Sequence, residues 1–464
     1  MENSYIQCSY QGVSMRGTLL RLQPCNVGFE VYQPGLVLRV SELLEEFRAV
    51  IADEEAYSGR AVVTSLVNLG QKSVVEVKLD DPGVKLGQGG KTAGPEQFCE
   101  RYSHWFEAWQ QHELISTDLK MTVLSLHSYL WELKLLCEQF EVSVLAHPTV
   151  PAADMERALL LRLSEPVIQT LDLMRERFLA ATESTPPGMR SVHQLFVTRH
   201  LHPLFLCAPF GYRTYQKPLG YAGDYEMMNQ IHRNTFEGGS IFARLVHYWL
   251  VNQPPAKSVR ARVDYLKRKL GEEAVRTSLE KRPLKILNLG CGPAREVEQF
   301  IMEHPLGDKA EITLLDSDAE TLEHVEGVIH RARQASGRSP KVVTRQVSVA
   351  QLIREAGRTG HALGAVYDLI YCGGLFDYLS PRVCKQLVSV FYHHVAPGGL
   401  VVAANMYDRF RRFSAMLEYL LDWHLVYRSA DDLLEFIPED VPHAATCVSD
   451  DGINLFLELR KPCS

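Results

Sequence analysis

The chain has 464 residues, enough for about two or three domains with sizeable buried cores. It carries 49 Lys and Arg against 56 Asp and Glu, a net charge of -7 and a pI near 6.2, which argues against a general nucleic-acid binder or a protein held on anionic membranes. The 46% hydrophobic and 23% charged fractions are ordinary for a soluble protein, and no apolar run reaches the roughly eighteen residues that a membrane span requires.

The ten cysteines form no C-x-x-C pair, and Cys137, Cys207 and Cys372 sit in apolar runs. That pattern reads as buried free thiols in a reducing compartment. Met1-Glu2-Asn3-Ser4 has neither a basic n-region nor an apolar core, so no signal peptide is expected. The expected location is the cytoplasm.

In chain order, residues 1–82 come first. Segments 13–32 and 61–79 alternate apolar and polar side chains, the period of half-buried strands. Turns at Gly12, 24–28 and Pro34-Gly35 separate or bound them. Segment 41–50 reads as a single helix with Ser41 as its N-cap. Segments 59–63 and 70–77 read as a hairpin pair. The result is a small β-barrel whose layout resembles a PilZ domain, a fold often used to bind a bacterial cyclic dinucleotide. That family's pattern is R-x-x-x-R followed by D/N-x-S-x-x-G. Here the second motif falls on Gln23, Cys25 and Gly28, so only the glycine survives, and no R-x-x-x-R precedes it. Without paired guanidiniums there is little to grip phosphates or stack on guanine. The barrel is therefore expected to be structural or a docking module, not a cyclic dinucleotide receptor.

Residues 83–95, rich in glycine and polar side chains, read as a flexible linker. A helical region is expected over 96–280, beginning with helices at 95–113, 119–140 and 154–182. Trp105, Trp109, Leu126, Leu130, Leu133 and Cys137 recur at three- and four-residue spacing, a stripe that reads as core. Thr185-Pro186-Pro187-Gly188 interrupts the helices. Lys217-Pro218-Leu219-Gly220-Tyr221-Ala222-Gly223-Asp224-Tyr225 then forms a loop ahead of another helix. Asp224 is a natural N-cap for that helix. The functional reading of the loop is a lid over the domain that follows. His200 and His202 lack a third ligand at metal spacing, so no metal is expected.

Residues 281–464 carry the clearest pattern. Lys285-Ile286-Leu287-Asn288-Leu289 is a buried strand that passes through Gly290-Cys291-Gly292-Pro293 into a helix from Arg295. A second strand, 311–315, ends in Asp316 and Ser317, and an acid there is placed to accept from both hydroxyls of a ribose. The ligand is thus expected to contain a nucleoside. Arg295 stands where a dinucleotide fold has its third glycine, which argues against NAD or FAD. Further strands fall at 342–347, with Ser348 placed to face the adenine, and at 366–372 and 400–404. Segments 445–448 and 454–459 make a hairpin, so the last strand runs antiparallel. The expected fold is α/β, a doubly wound Rossmann-like parallel sheet closed by an antiparallel strand.

The run from Leu287 to Glu296 resembles motif I of the class I S-adenosylmethionine-dependent methyltransferases. Gly290 and Gly292 match its first two glycines, while Asn288 stands where an acid is commonest and Ala294 replaces the third glycine. Tyr367 to Leu379 resembles that superfamily's fourth-strand motif, whose exit loop borders the methyl group, and Ala396-Pro397-Gly398-Gly399-Leu400 the turn into its fifth strand. Together with segments 217–225, 374–379 and Asp422 to Arg428, these residues are similar to the bacterial 3-hydroxypalmitic acid methyl ester biosynthesis family, over about residues 190–464.

The resemblance implies S-adenosyl-L-methionine as cofactor. It implies contacts from Tyr221, Asp224, Tyr225, Asn288, Gly290, Cys291, Gly292, Pro293, Asp316, Ser317, Ser348, Tyr371, Cys372 and Gly373. Asp224 would lie near the methionine amino group and one loop tyrosine near the sulfonium. The implied reaction is methylation of the carboxylate of a small hydrophobic acid such as a 3-hydroxy fatty acid. A carboxylate is already ionised, so the enzyme needs positioning more than a strong base. Donors expected to steady the acceptor are Tyr371, His202, Arg213, Tyr407 and His424, and Arg409, Arg411 and Arg412 read equally as a solvated face. Two alternatives stay open: a methyltransferase acting on a protein or another metabolite with the barrel as docking module, and a non-catalytic cofactor-binding scaffold. The expected partners are a small-molecule substrate and a protein, or a second copy, met through the barrel or helices.

Overall fold

The computed structural model describes residues 5–10, 13–22, 25–32, 38–51, 54–68, 72–80, 99, 102–103, 106, 115–146, 152–183, 185–359, 363–439, 441–442, 446–450 and 452–463. The chain divides into two compact units. One comprises Met1–Gln216, Phe236–Trp249 and Tyr419–Leu421, and the other Lys217–Thr235, Leu250–Glu418 and Asp422–Ser464.

The first unit opens with six strands: β1 (Tyr5–Tyr10), β2 (Val13–Leu22), β3 (Asn26–Val31), β4 (Leu43–Ile51), β5 (Glu54–Asn68) and β6 (Ser73–Leu79). They close into an antiparallel barrel in the order β1-β2-β3-β6-β5-β4. Alternation sends Ile6, Cys8, Phe29, Val75 and Val77 inward to one core. Segment 41–50, expected as a helix, is the strand β4. Its register with β5 shifts between Leu44 and Phe47, and both side chains are buried. A bulge of this kind puts two inward residues three apart, which imitates helical spacing in the sequence. Of the PilZ-pattern positions, Gln23 lies outside the described residues, Cys25 is exposed and Gly28 lies within β3.

Two long helices follow, α1 (Thr117–Ala146) and α2 (Ala152–Glu183), then α3 (Arg190–Phe205), α4 (Pro209–Gln216) and, later in the chain, α6 (Ile241–Leu250). The buried stripe of α1 is Leu119, Val123, Leu126, Leu130, Leu133 and Cys137, alternating steps of four and three as a helix face requires. The expected linker at 83–95 lies outside the described residues. So does the expected helix at 95–113, except for 99, 102, 103 and 106, which are helical.

The second unit is built on a seven-stranded sheet. Its strands are β7 (Leu284–Leu289), β8 (Ala310–Asp316), β9 (Lys341–Gln346), β10 (Tyr367–Cys372), β11 (Val395–Met406), β12 (Thr446–Asp450) and β13 (Asn454–Arg460). The order is β12-β13-β11-β10-β7-β8-β9, and all neighbours are parallel except for β13, which is antiparallel to both β11 and β12. This is a doubly wound α/β sheet closed by an antiparallel hairpin. Its central strand β10 is buried along its whole length. Gly399 permits the approach of β11 to β10, since a Cβ there would meet Asp368 O at 2.8 Å.

Helices cover both faces of the sheet. Side chains of α7 (Pro254–Leu279), α8 (Arg295–Glu303) and α9 (Ala319–Ser336) join one core with Ile286, Ile312, Leu369 and Tyr371. Side chains of α10 (Val349–Thr359) and α11 (Pro381–His394) join the other with Leu287, Ile370, Cys372 and Val401. The helix α5 (Tyr225–Arg233) also belongs to this unit. The chain leaves β7 for β8 on one side and later returns to β10 on the other. The carboxyl ends of β7 and β10 therefore flank a topological switch point, where open α/β sheets hold their ligands.

Candidate functional site

At that switch point lies a cavity of about 360 Å³, lined wholly by residues of the second unit. The loop after β7 forms its floor. Gly290 and Gly292 have φ of +67° and +49°, left-handed values that glycine adopts without strain. The N–H groups of Gly290 and Cys291 donate to Leu315 O at 2.8 and 3.1 Å, which ties the loop to the end of β8. Next to it, Asp316 is 7% exposed. Its Oδ2 accepts from Gly292 N and its Oδ1 from Asp318 N, both at 3.1 Å. Burial pushes its carboxyl above the usual range, and the N–H groups of Asp318, Gly292 and Ser317 pull it back.

The same loop also borders a buried polar cluster. Glu296, on the first turn of α8, accepts at Oε1 from Tyr371 OH at 2.8 Å and from Asn288 Nδ2 at 3.0 Å. Burial raises the Glu296 carboxyl, and the Tyr371 hydroxyl partly offsets this. The Tyr371 phenol is pushed well above its ordinary value by burial and then by Glu296. Among the described residues Asn288 Oδ1, which is buried, has no hydrogen-bond partner.

Towards β11 the lining changes. Arg262 of α7 pairs with Asp377 at 2.7 Å, both almost fully buried. Asp377 is itself fixed by Met406 N, which donates to its Oδ1 at 2.7 Å. The lining also includes the apolar side chains of Val259, Val263, Leu266, Met406, Trp423 and Leu425. Trp423 Nε1 donates to Tyr378 OH at 2.9 Å.

The loop 217–224 borders this cavity. Gly223, with φ of +88°, lies against Tyr378, whose hydroxyl a Cβ would meet at 2.5 Å. Tyr221 and Tyr225 line the cavity on its β8 side. Burial, and then Asp316, lift the Tyr221 hydroxyl to about 12, while Tyr225 OH donates to Glu320 at 2.7 Å. Asp224 is the N-cap of α5, accepting from Met227 N at 2.8 Å, and is not among the lining residues. His232, on the last turn of α5, lines the cavity and is lowered to about 4 by burial, then by Arg295 and Arg260.

Of the residues singled out from the sequence, the cavity gathers Tyr221, Tyr225, Asn288, Gly290, Cys291, Gly292, Pro293, Asp316, Ser317, Tyr371 and Gly373. Ser348 and Cys372 are not in its lining. Ser348 caps α10 by accepting from Gln351 N at 3.2 Å, and Cys372, next to Tyr371 in an extended strand, faces the other core. Tyr407 and His424 also fall outside the lining. Arg409 lies over the Tyr407 ring, and His424 Nε2 stands 2.9 Å from Asp422 Oδ1. His202 and Arg213 belong to the first unit, where His202 Nε2 lies 2.9 Å from Leu420 O. Glu296, Arg262, Asp377, Trp423 and Leu425 were not singled out as site residues. Among the described residues no group of three His, Cys, Asp or Glu is arranged to hold a metal ion.

No protein-family model matches the chain, and no curated protein matches it in sequence. Solved structures do resemble it. One is a possible exported protein from Bordetella parapertussis, at 14% identity over 68% of this chain and 100% of that one, with a TM-score of 0.39. Another is an O-methyltransferase family protein from Burkholderia thailandensis, at 13% identity over 59% and 72% of the two chains, with a TM-score of 0.34. A third is magnesium protoporphyrin IX methyltransferase from Synechocystis with bound SAH, at 12% identity over 54% and 97%, also with a TM-score of 0.34.

Proposed function

We propose that the second unit binds S-adenosyl-L-methionine and methylates the carboxylate of an apolar acid, such as a 3-hydroxy fatty acid. The observation that carries the reading is the cavity at the switch point, whose lining combines Asp316 and the glycine loop with a set of apolar side chains. The residues present fit the cofactor. Gly290 and Gly292 let the loop backbone approach a ligand, Asp316 offers acceptor oxygens to a ribose, and Asn288 Oδ1 is a buried acceptor without a partner among the described residues.

When bound, the cofactor supplies a methyl group on a sulfonium. Asp316, Gly292 and Tyr221 would hold its nucleoside part, and Gly373 and Tyr371 would border the methionine part. Val259, Val263, Leu266, Met406, Trp423 and Leu425 would bury the acceptor's hydrocarbon and exclude water from the carboxylate. Arg262 shares α7 with Val259, Val263 and Leu266, and its guanidinium is held in place by Asp377, Asn454 Oδ1 and Gly373 O. No side chain has to remove a proton, because the acceptor is ionised at neutral pH. The first unit's PilZ-like barrel serves as a docking or structural module on this account.

Incubating the full chain with methyl-labelled S-adenosyl-L-methionine and a bacterial extract, then analysing by mass spectrometry, tests the reading. A labelled methyl ester of a hydrophobic acid is the expected product. Label on a protein would move the acceptor class to protein, and binding without any transfer would favour the scaffold.

A further inference from the structure

Glu296 is unusual for a buried acid. It is 6% exposed, and among the described residues no basic side chain is paired with it; its neighbour Arg295 pairs with Glu298 instead. Burying a carboxylate without a cation is unfavourable unless something else meets the charge. Its two known donors, Tyr371 OH and Asn288 Nδ2, both converge on Oε1. Because Asn288 donates through Nδ2, Oδ1 is left as an acceptor, and in this side chain, 2% exposed overall, it has no partner among the described residues. Glu296, Asn288 and Tyr371 all line the cavity. Such a site offers acceptor oxygens and a negative charge to whatever enters, and lacks a cation of its own.

Resting on the cofactor reading above, we propose that Glu296 and Asn288 form the receptor for the α-ammonium of the cofactor's methionine moiety, with Tyr371 positioning the Glu296 carboxylate. An ammonium carries three N–H donors and one positive charge, and so answers both the open acceptors and the buried charge. The acid that meets the ammonium thus comes from helix α8 and not from the end of β7, where this chain has Asn288. Asp224, the acid expected from the sequence near the ammonium, accepts from Met227 N as the cap of α5 and is not among the lining residues.

The test is calorimetry on the full chain with two probes. S-adenosyl-L-homocysteine carries the ammonium, and 5′-methylthioadenosine keeps the nucleoside but lacks the amino-acid end. Glu296→Gln preserves shape and can still accept from Tyr371. It should weaken S-adenosyl-L-homocysteine roughly 10- to 100-fold, the range of a lost charge-assisted hydrogen bond, and leave 5′-methylthioadenosine unchanged. Wild type should likewise prefer S-adenosyl-L-homocysteine to its deaminated analogue, a comparison that needs no variant to fold. Equal weakening of both probes by Glu296→Gln, or no preference of wild type for the ammonium, would overturn the receptor while leaving the cofactor reading intact. Failure of wild type to bind either probe would overturn both.

Discussion

Replacing Asp316 by alanine removes a carboxylate with two duties, and the two can be separated by measurement. In the folded chain it accepts from Gly292 N and Asp318 N, so the substitution leaves two backbone N–H groups without their partner. Each such loss costs about 1 kcal/mol, and part is returned because a buried charge disappears with it. The expected loss of stability is therefore about 1–2 kcal/mol. The ligand effect comes on top. Losing hydrogen bonds to ribose hydroxyls should weaken S-adenosyl-L-methionine by about 1–3 kcal/mol, roughly 5- to 150-fold in Kd. A thermal melt reads the first quantity, and calorimetry well below the melting temperature reads the second. Unchanged affinity in a folded Asp316→Ala variant would refute the ribose assignment.

Asp224→Asn should bind the cofactor normally and melt as wild type, whereas Asp224→Ala should lose about 1 kcal/mol of stability, as expected of an N-cap; weakened binding in the Asn variant would restore the lid role for its charge. Leu425→Ala should raise KM for a long-chain acid roughly 5- to 30-fold, about 1–2 kcal/mol for the apolar contact removed from a half-buried side chain, with cofactor Kd unchanged. An unaltered KM would place the acceptor elsewhere. His232 is held neutral, its folded value near 4 below the unfolded 6.5, so it contributes stability above pH 6.5 that is lost as pH falls through 4. The difference in melting temperature between wild type and His232→Gln should therefore drift in favour of the variant over that window, and a constant difference would contradict the assignment.

How far these features can be read from sequence depends on how local their signal is. The glycine loop, Asp316 and the closing hairpin are each written within a few adjacent residues, and all appear where their spacing places them. β4 was hidden because its bulge sets Leu44 and Phe47 three apart. Cys372 faces the core opposite Tyr371, as strand alternation alone requires. Glu296 is another case. An acid on the first turn of a helix is what the helix dipole favours anyway, so nothing marks it as buried. Its role depends on β10 lying beside β7, which brings Tyr371 to it across 75 residues. The Arg262–Asp377 pair likewise joins residues that no local pattern connects.

The central claim is that the switch-point cavity takes S-adenosyl-L-methionine. Titrating the purified full chain with it by calorimetry, alongside NAD, tests this most directly. One site per chain with Kd in the micromolar range for S-adenosyl-L-methionine, and no heat from NAD, is the predicted result. Binding of NAD without S-adenosyl-L-methionine, or of neither, would contradict it.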